Sequence, residues 1–235
     1  MARSRLIPAE FLELNPRLWS FVFMLAFGSF ALVEFPLKPF SGYIDPFYSP
    51  TILILPLVGL FRITCYAYRQ DYNRHVFKHP LLCPASPALD GSARAYTGET
   101  SLFMRVENLH RYFMYIAVAV LPFFYYDLAV SLTYFGGLTL RLGSVFLAVN
   151  AAALTLYVFS CHSVRSLFGG RIDCYSCSAL GSRRKKAYDA QSFMNRHHTA
   201  LAWLSLVTII GIDLYLRAVH AGLWADPLIL HMASI

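Results

Sequence analysis

Five long apolar stretches dominate the sequence, and their length constrains the fold more than any other feature. They lie at about residues 18–35, 49–70, 108–134, 142–165 and 196–218. A helix needs about 20 apolar residues to cross the hydrocarbon core of a membrane, and each stretch is close to that length. Lipid offers the backbone no hydrogen bonds, so each stretch is expected to be helical. The sequence therefore predicts an all-α integral membrane bundle of five transmembrane helices, forming a single domain over residues 1–235.

The composition supports a membrane protein and argues against a nucleic-acid-binding one. Hydrophobic residues make up 57% of the chain and charged residues only 14%, whereas a soluble domain covers its surface with more charge. The net charge of +7 could indicate a nucleic-acid partner. The basic residues lie beside the ends of the apolar stretches, however, so we expect membrane lipid and no nucleic acid as the partner.

The distribution of lysine and arginine predicts the orientation. In a five-span topology, 17 of the 20 basic residues fall on the side that holds the N-terminus. Cytoplasmic segments carry the excess of basic residues, so the N-terminus is predicted to be cytoplasmic and the C-terminus outside. We expect a multi-pass protein of the cell inner (plasma) membrane. Its two long inner loops, residues 71–107 and 166–195, are expected to dock a partner.

Cysteine and histidine residues gather on the same predicted inner side. The cytoplasm is reducing, so these thiols are expected to serve as ligands or packing groups rather than as structural disulfides. Four predicted helix ends bring a thiol or an imidazole to one depth, at Cys65, His110, His162 and His198. The inner side holds all five cysteines and six of the eight histidines: Cys65, Cys83, Cys161, Cys174, Cys177, His75, His79, His110, His162, His197 and His198.

Several metal centres are compatible with this set. Two thiolates and two imidazoles suit a Rieske-type [2Fe-2S] cluster, in which histidine replaces cysteine on one iron. A single haem b between two imidazoles near the inner face is the alternative. The Cys174–Cys177 spacing is a zinc or redox half-site with no second CxxC beside it. A non-redox small transporter or a zinc-stabilised scaffold would explain the spans but would leave the clustering unmotivated.

Four groups of segments, taken in order, carry a family resemblance. They are Phe61–Arg69, Glu107–Phe113, Cys161–Arg165 with Gly169 and Gly170, and Asn195–His198 followed by Asp213–Arg217. This series resembles the single-polypeptide membrane anchor of the type F succinate dehydrogenases known from mycobacteria. The resemblance covers most of the chain from about residue 50 to residue 227.

The resemblance implies a subunit of succinate:quinone oxidoreductase, a respiratory complex that also belongs to the tricarboxylic acid cycle. Flavoprotein and iron–sulfur subunits would dock on the cytoplasmic face, where a partner chain oxidises succinate. This chain would hold no catalytic residue for succinate and would pass electrons to a membrane quinone.

The resemblance also implies a ligand set for a Rieske-type cluster inside the anchor. By position, the ligands are Cys65, Cys83, His110 and His198, while Cys161, Cys174 and Cys177 compete for the thiol positions. The candidates for contact with the quinone are Tyr66, Arg69, Tyr112 and Trp203, with His162 as a ligand or proton donor. The competing explanation for the aromatic residues is an interfacial belt.

Overall fold

The structure of the protein is a computed structural model that describes residues 16–33, 50–65, 68, 109–133, 137–169, 174–177 and 180–233. The described part is mostly helical, as predicted. It contains seven helices and two short strands: α1 (Pro16–Val33), α2 (Pro50–Thr64), α3 (His110–Thr133), β1 (Gly137–Arg141), α4 (Leu142–Phe159), α5 (His162–Gly169), α6 (Gly181–Arg196), α7 (His198–His220) and β2 (Leu228–Ala233).

Helices α3, α4 and α7 are each long and apolar enough to cross a membrane. Helices α3 and α7 coincide closely with the predicted spans at 108–134 and 196–218, and α4 covers most of the predicted span at 142–165. Helices α1 and α2 overlap the predicted spans at 18–35 and 49–70. The count of five spans, the single-domain division and the orientation of the termini stay predictions.

Helix α4 lies at the centre of the packing. It packs most extensively against α7 and then against α3, while α2 packs against α3 and α1 against α7. Small side chains allow this close approach, because Ala151 and Ala153 are both fully buried. The main buried cluster lies where α2 and α4 end and where α3 and α7 begin, and it includes Phe61, Met114 and Tyr157. One end of the bundle is therefore the better-packed end.

The predicted span at 142–165 is interrupted after Phe159. The Ser160 amide still donates to the Leu156 carbonyl at 2.9 Å, but the chain turns there and α5 begins at His162. Because of this turn, Cys161 lies in the buried cluster with 1% of its surface exposed. A continuous helix through this position was expected.

Helix α6 occupies much of the predicted inner loop 166–195. It follows the break in α4, where the last helical carbonyls lack partners within the helix. The Asn195 side-chain amide donates to the Ser160 carbonyl at 2.9 Å, and the Gln191 side chain donates to the carbonyls of Phe159 and Cys161. Polar side chains of α6 thus replace the backbone donors that a longer α4 would have supplied. On its exposed face, the carboxylate of Asp189 raises the pKa of Lys185.

Two strands at the other end of the bundle are an element that the sequence analysis did not predict. β1 and β2 pair antiparallel from Gly137 opposite Ala233, with an irregularity between Leu140 and Arg141. The Asp226 carboxylate accepts hydrogen bonds from the Gly143 amide at 2.9 Å and from the Tyr215 hydroxyl at 2.8 Å. The Asp226 carboxylate thereby joins the segment before β2 to the start of α4 and to α7.

One intramembrane acid is paired on its own helix. The Arg217 side chain donates to the Asp213 carboxylate at 2.6 Å, one turn apart on α7. The ion pair removes the cost of leaving a lone carboxylate near lipid. It gives Asp213 a structural role.

Candidate metal centre

Two thiol–imidazole pairs lie at the well-packed end of the bundle. Cys65 Sγ is 3.0 Å from His198 Nε2, and Cys161 Sγ is 3.0 Å from His110 Nε2. The four residues come from four places: just after α2, the start of α3, the turn after α4, and the start of α7. The structure thus brings together three of the four predicted ligands, Cys65, His110 and His198, and adds Cys161.

A hydroxyl group holds the second nitrogen of each imidazole. Thr64 Oγ1 lies 3.0 Å from His110 Nδ1, and Ser160 Oγ lies 2.7 Å from His198 Nδ1. Each hydroxyl donates its only proton to a backbone carbonyl, Thr64 to Leu60 at 2.7 Å and Ser160 to Tyr157 at 2.8 Å. With that proton on the carbonyl, each hydroxyl accepts a hydrogen bond from the Nδ1–H of its histidine.

This assignment leaves a lone pair on Nε2 of both histidines, directed at sulfur. A metal-ligating histidine is held in the same way, with the other ring nitrogen donating to a fixed acceptor. Thr64 and Ser160 were missed in the sequence analysis. The available signal was their positions, directly beside Cys65 and Cys161 at the ends of helices.

Aromatic rings enclose the two pairs. Phe61 stacks on His110 with ring centroids 4.9 Å apart, and Tyr157 stacks on His198 at 5.1 Å. Phe61 and Tyr157 also touch each other at 5.3 Å, so the rings join the two pairs into one cluster. Both sulfurs are withdrawn from solvent, since Cys65 and Cys161 are each 1% exposed. The two sulfurs are therefore shielded from solvent, and the two imidazoles are half-buried.

A guanidinium group borders the cluster. Arg62, in the last turn of α2, is only 2% exposed. It donates to the Tyr68 hydroxyl at 3.0 Å, to the Ala202 carbonyl at 3.2 Å and to the Ser205 hydroxyl at 2.9 Å. Its central carbon also lies 4.7 Å from the centroid of the Tyr157 ring.

The other predicted site residues are more dispersed. Trp203 lies on α7, and its buried indole N–H has no hydrogen-bond partner among the described residues. Its ring meets Phe23 of α1 edge to face at 6.0 Å. Tyr112 is 63% exposed on α3, and His162 is exposed at the start of α5. Cys83, Tyr66 and Arg69 lie outside the described residues.

The CxxC motif stands apart from the two pairs. Cys174 and Cys177 form a disulfide within an exposed turn, although reduced thiols were expected on this side. Their sulfurs therefore do not face either histidine of the cluster.

The donor set can be tested against the candidate groups. Among the described residues, no three Cys, His, Asp or Glu side chains converge on one point, whereas a structural zinc ion needs four ligands around it. A bis-histidine haem needs a flat gap between its imidazoles, whereas in this structure Phe61 stacks on His110 and Tyr157 stacks on His198. Two sulfurs and two imidazole nitrogens in two adjacent pairs match the donors of a Rieske-type cluster in number and kind.

Comparison with known proteins identifies the family. The sequence model of the actinobacterial succinate dehydrogenase subunit SdhC matches residues 35–222, which include both thiol–imidazole pairs. The chain belongs to this SdhC family. Its predicted identity as a mycobacterial-type membrane anchor subunit of succinate dehydrogenase is thereby confirmed.

A solved structure agrees with the family assignment. This SdhC-family chain is similar to a chain of the Mycobacterium smegmatis Sdh1 complex in the apo form, with a TM-score of 0.71 and 27% sequence identity. The similarity covers 98% of this chain and 97% of the other, so the whole fold is shared. No curated protein sequence matches the chain.

Proposed function

We propose that this anchor relays electrons from a partner iron–sulfur subunit to a membrane quinone through a Rieske-type [2Fe-2S] cluster. Cys65, Cys161, His110 and His198 would hold the cluster. The observation that carries the proposal is the pair of 3.0 Å thiol–imidazole contacts enclosed by aromatic rings. Cys161 takes the place of Cys83 in the predicted set, because its sulfur faces His110.

Such a cluster, when bound, supplies a one-electron carrier between the partner subunit and the quinone. The residues of this chain hold it and protect it. Thr64 and Ser160 orient the two imidazoles so that Nε2 is the ligating atom. Phe61 and Tyr157 keep water from the sulfurs and limit movement of the rings. A fixed, dry site keeps the reorganisation on electron transfer small.

The proposed topology has five spans with a cytoplasmic N-terminus, and the flavoprotein and iron–sulfur subunits dock at the inner face. The bias in lysine and arginine supports this orientation. The cluster would then lie at the docking end, because α2 and α4 end there and α3 and α7 begin there. Succinate would be oxidised on the partner chains.

The quinone is proposed to bind beside the cluster, close to the start of α7. Trp203 supports this position, because its buried indole N–H has no described partner and could donate to a quinone carbonyl. It lies five residues after His198 on the same helix. Tyr66, Arg69, Tyr112 and His162 are the further candidates for contact.

The relay can be separated from succinate oxidation in the purified complex. Replacing His110 and His198 together by alanine should abolish quinone reduction, while succinate oxidation with a soluble dye stays near the wild-type rate. His220→Ala, in the predicted outer tail, is the control and should leave both rates unchanged. Normal quinone reduction by the double variant would overturn the relay.

The same preparation distinguishes the cofactors. A Rieske-type cluster gives the reduced wild-type complex an EPR signal, whereas haem b gives a sharp visible α band. We expect the EPR signal without the α band. The α band without the EPR signal would favour the haem alternative, and the absence of both would favour a scaffold.

A further inference from the structure

Arg62 carries a positive charge in the buried core of the bundle. The guanidinium group is a delocalised cation. Its side chain is 2% exposed, and the four groups that it contacts are the hydroxyls of Tyr68 and Ser205, the Ala202 carbonyl and the Tyr157 ring. All four are neutral.

Three of the described acidic residues interact with groups other than Arg62, and the fourth lies far from the thiol–imidazole cluster along the bundle axis. Asp189 pairs with Lys185, Asp213 pairs with Arg217, and Asp226 accepts from Gly143 and Tyr215. Asp127 lies 17 residues after His110 on α3, which places it roughly 25 Å along the helix axis from the cluster. No described carboxylate compensates Arg62, although a buried charge is costly without an anion nearby.

Among the described residues near Arg62, the thiols of the metal centre are groups that become anionic when they bind metal. The Arg62 guanidinium lies over Tyr157, Tyr157 stacks on His198, and His198 contacts the Cys65 sulfur. Arg62 also precedes Cys65 by three residues at the end of the same helix. The guanidinium and the sulfur are therefore held in one rigid unit.

We infer that Arg62 is a positioning residue that raises the reduction potential of the centre by electrostatic stabilisation of its reduced form. The inference rests on the proposed function. A cluster with two thiolates and two neutral imidazoles is neutral overall when oxidised, and one electron from the partner iron–sulfur subunit makes it an anion. No bond forms or breaks and no proton moves in this step. Because the surroundings are dry, the attraction to a buried cation is screened far less than it would be in water.

The test is a redox titration of the purified complex, followed by the EPR signal of the reduced centre. Arg62→Gln should lower the equilibrium constant for reduction at least tenfold, which corresponds to a fall of about 59 mV in midpoint potential. Arg62→Lys keeps the charge and should shift the potential by less than half as much. Arg111→Gln removes an exposed cation next to His110 and should leave the potential unchanged.

An unchanged potential in Arg62→Gln, with normal iron content, would overturn the inference and leave the relay intact. If Arg62→Gln does not assemble, Arg62→Lys decides. Lysine keeps the charge of Arg62 but lacks its fork of hydrogen-bond donors. If the charge is what matters, the Arg62→Lys complex assembles with full iron content and a potential close to that of the wild type. Failure of the lysine variant as well would show a purely structural role. Absence of the signal from the wild-type complex would instead refute the proposed function.

Discussion

At the scale of single residues, two small hydroxyl groups control how the two larger imidazole rings of the site are held. The Thr64 and Ser160 hydroxyls hold the Nδ1 atoms of the two imidazoles, and neither residue is itself a ligand in the proposed metal centre. Both hydroxyls make backbone contacts typical of serine and threonine at helix ends. Their role is visible only once the histidine beside each of them has been placed.

The hydroxyl partners lead to a test of metal retention. Thr64→Val and Ser160→Ala remove the acceptor of one imidazole each, and loss of such partners typically weakens metal affinity by about 10–100-fold. We expect faster loss of iron from the purified complex during incubation with a chelator. Thr155→Val is the matched control, because the Thr155 hydroxyl also donates to a helix carbonyl but contacts no histidine. Equal iron retention in all three variants would contradict the assigned role.

The sequence predicted the imidazoles of the site more completely than its thiols. His110 and His198 open apolar helices, so their depth follows from hydropathy alone. Cys161 and Cys83 could not be ranked in this way, because the position of Cys161 depends on the turn at Ser160, which hydropathy does not reveal. Cys65 was identified because it closes the second apolar stretch.

At the scale of elements, the break between α4 and α5 is the feature that builds the site. The break turns Cys161 into the core. Helix α6 stabilises the break, because its side chains donate hydrogen bonds to the carbonyls at the end of α4. Helix α6 was predicted as loop because its sequence is polar and lacks an apolar period. The β1–β2 sheet was missed because its strands are five and six residues long and follow no turn motif.

The role of α6 can be tested by removing its donors. Gln191→Leu leaves the Phe159 and Cys161 carbonyls without their side-chain donor, and Asn195→Ala leaves the Ser160 carbonyl without its donor, at a cost of about 1–3 kcal/mol for each buried group. Both variants should lower the midpoint of thermal unfolding, and both should retain less iron because the turn at Cys161 is loosened. Lys186→Ala, on the exposed face of α6, is the control. If both variants lowered the unfolding midpoint but kept all of their iron, α6 would stabilise the fold without supporting the metal centre.

At the scale of the whole molecule, the two ends of the bundle differ in chemistry. One end holds the thiol–imidazole pairs, and the other holds the β1–β2 sheet fixed by Asp226. In the proposed topology the first end faces the cytoplasm, where the partner subunits are proposed to dock. The positions of α3, α4 and α7 could be predicted from hydropathy, whereas the packing order around α4 could not, since it depends on which small residues face each other.

The proposed topology predicts the location of both termini. A reporter that is active only outside the plasma membrane should give activity when fused after residue 235 and none when fused before residue 1. The physical reason is the cost of translocating basic segments, which keeps residues 71–107 and 166–195 inside. The opposite pattern, or the same signal at both termini, would contradict five spans with a cytoplasmic N-terminus.

The central claim is that Cys161, together with Cys65, His110 and His198, holds the electron-carrying centre. The most direct measurement compares iron content and the reduced-state EPR signal in two purified variants of the complex, Cys161→Ser and Cys83→Ser. Cys161→Ser is expected to lose the signal and most of the iron of this centre, while Cys83→Ser is expected to keep both. Loss in Cys83→Ser with retention in Cys161→Ser would contradict the claim.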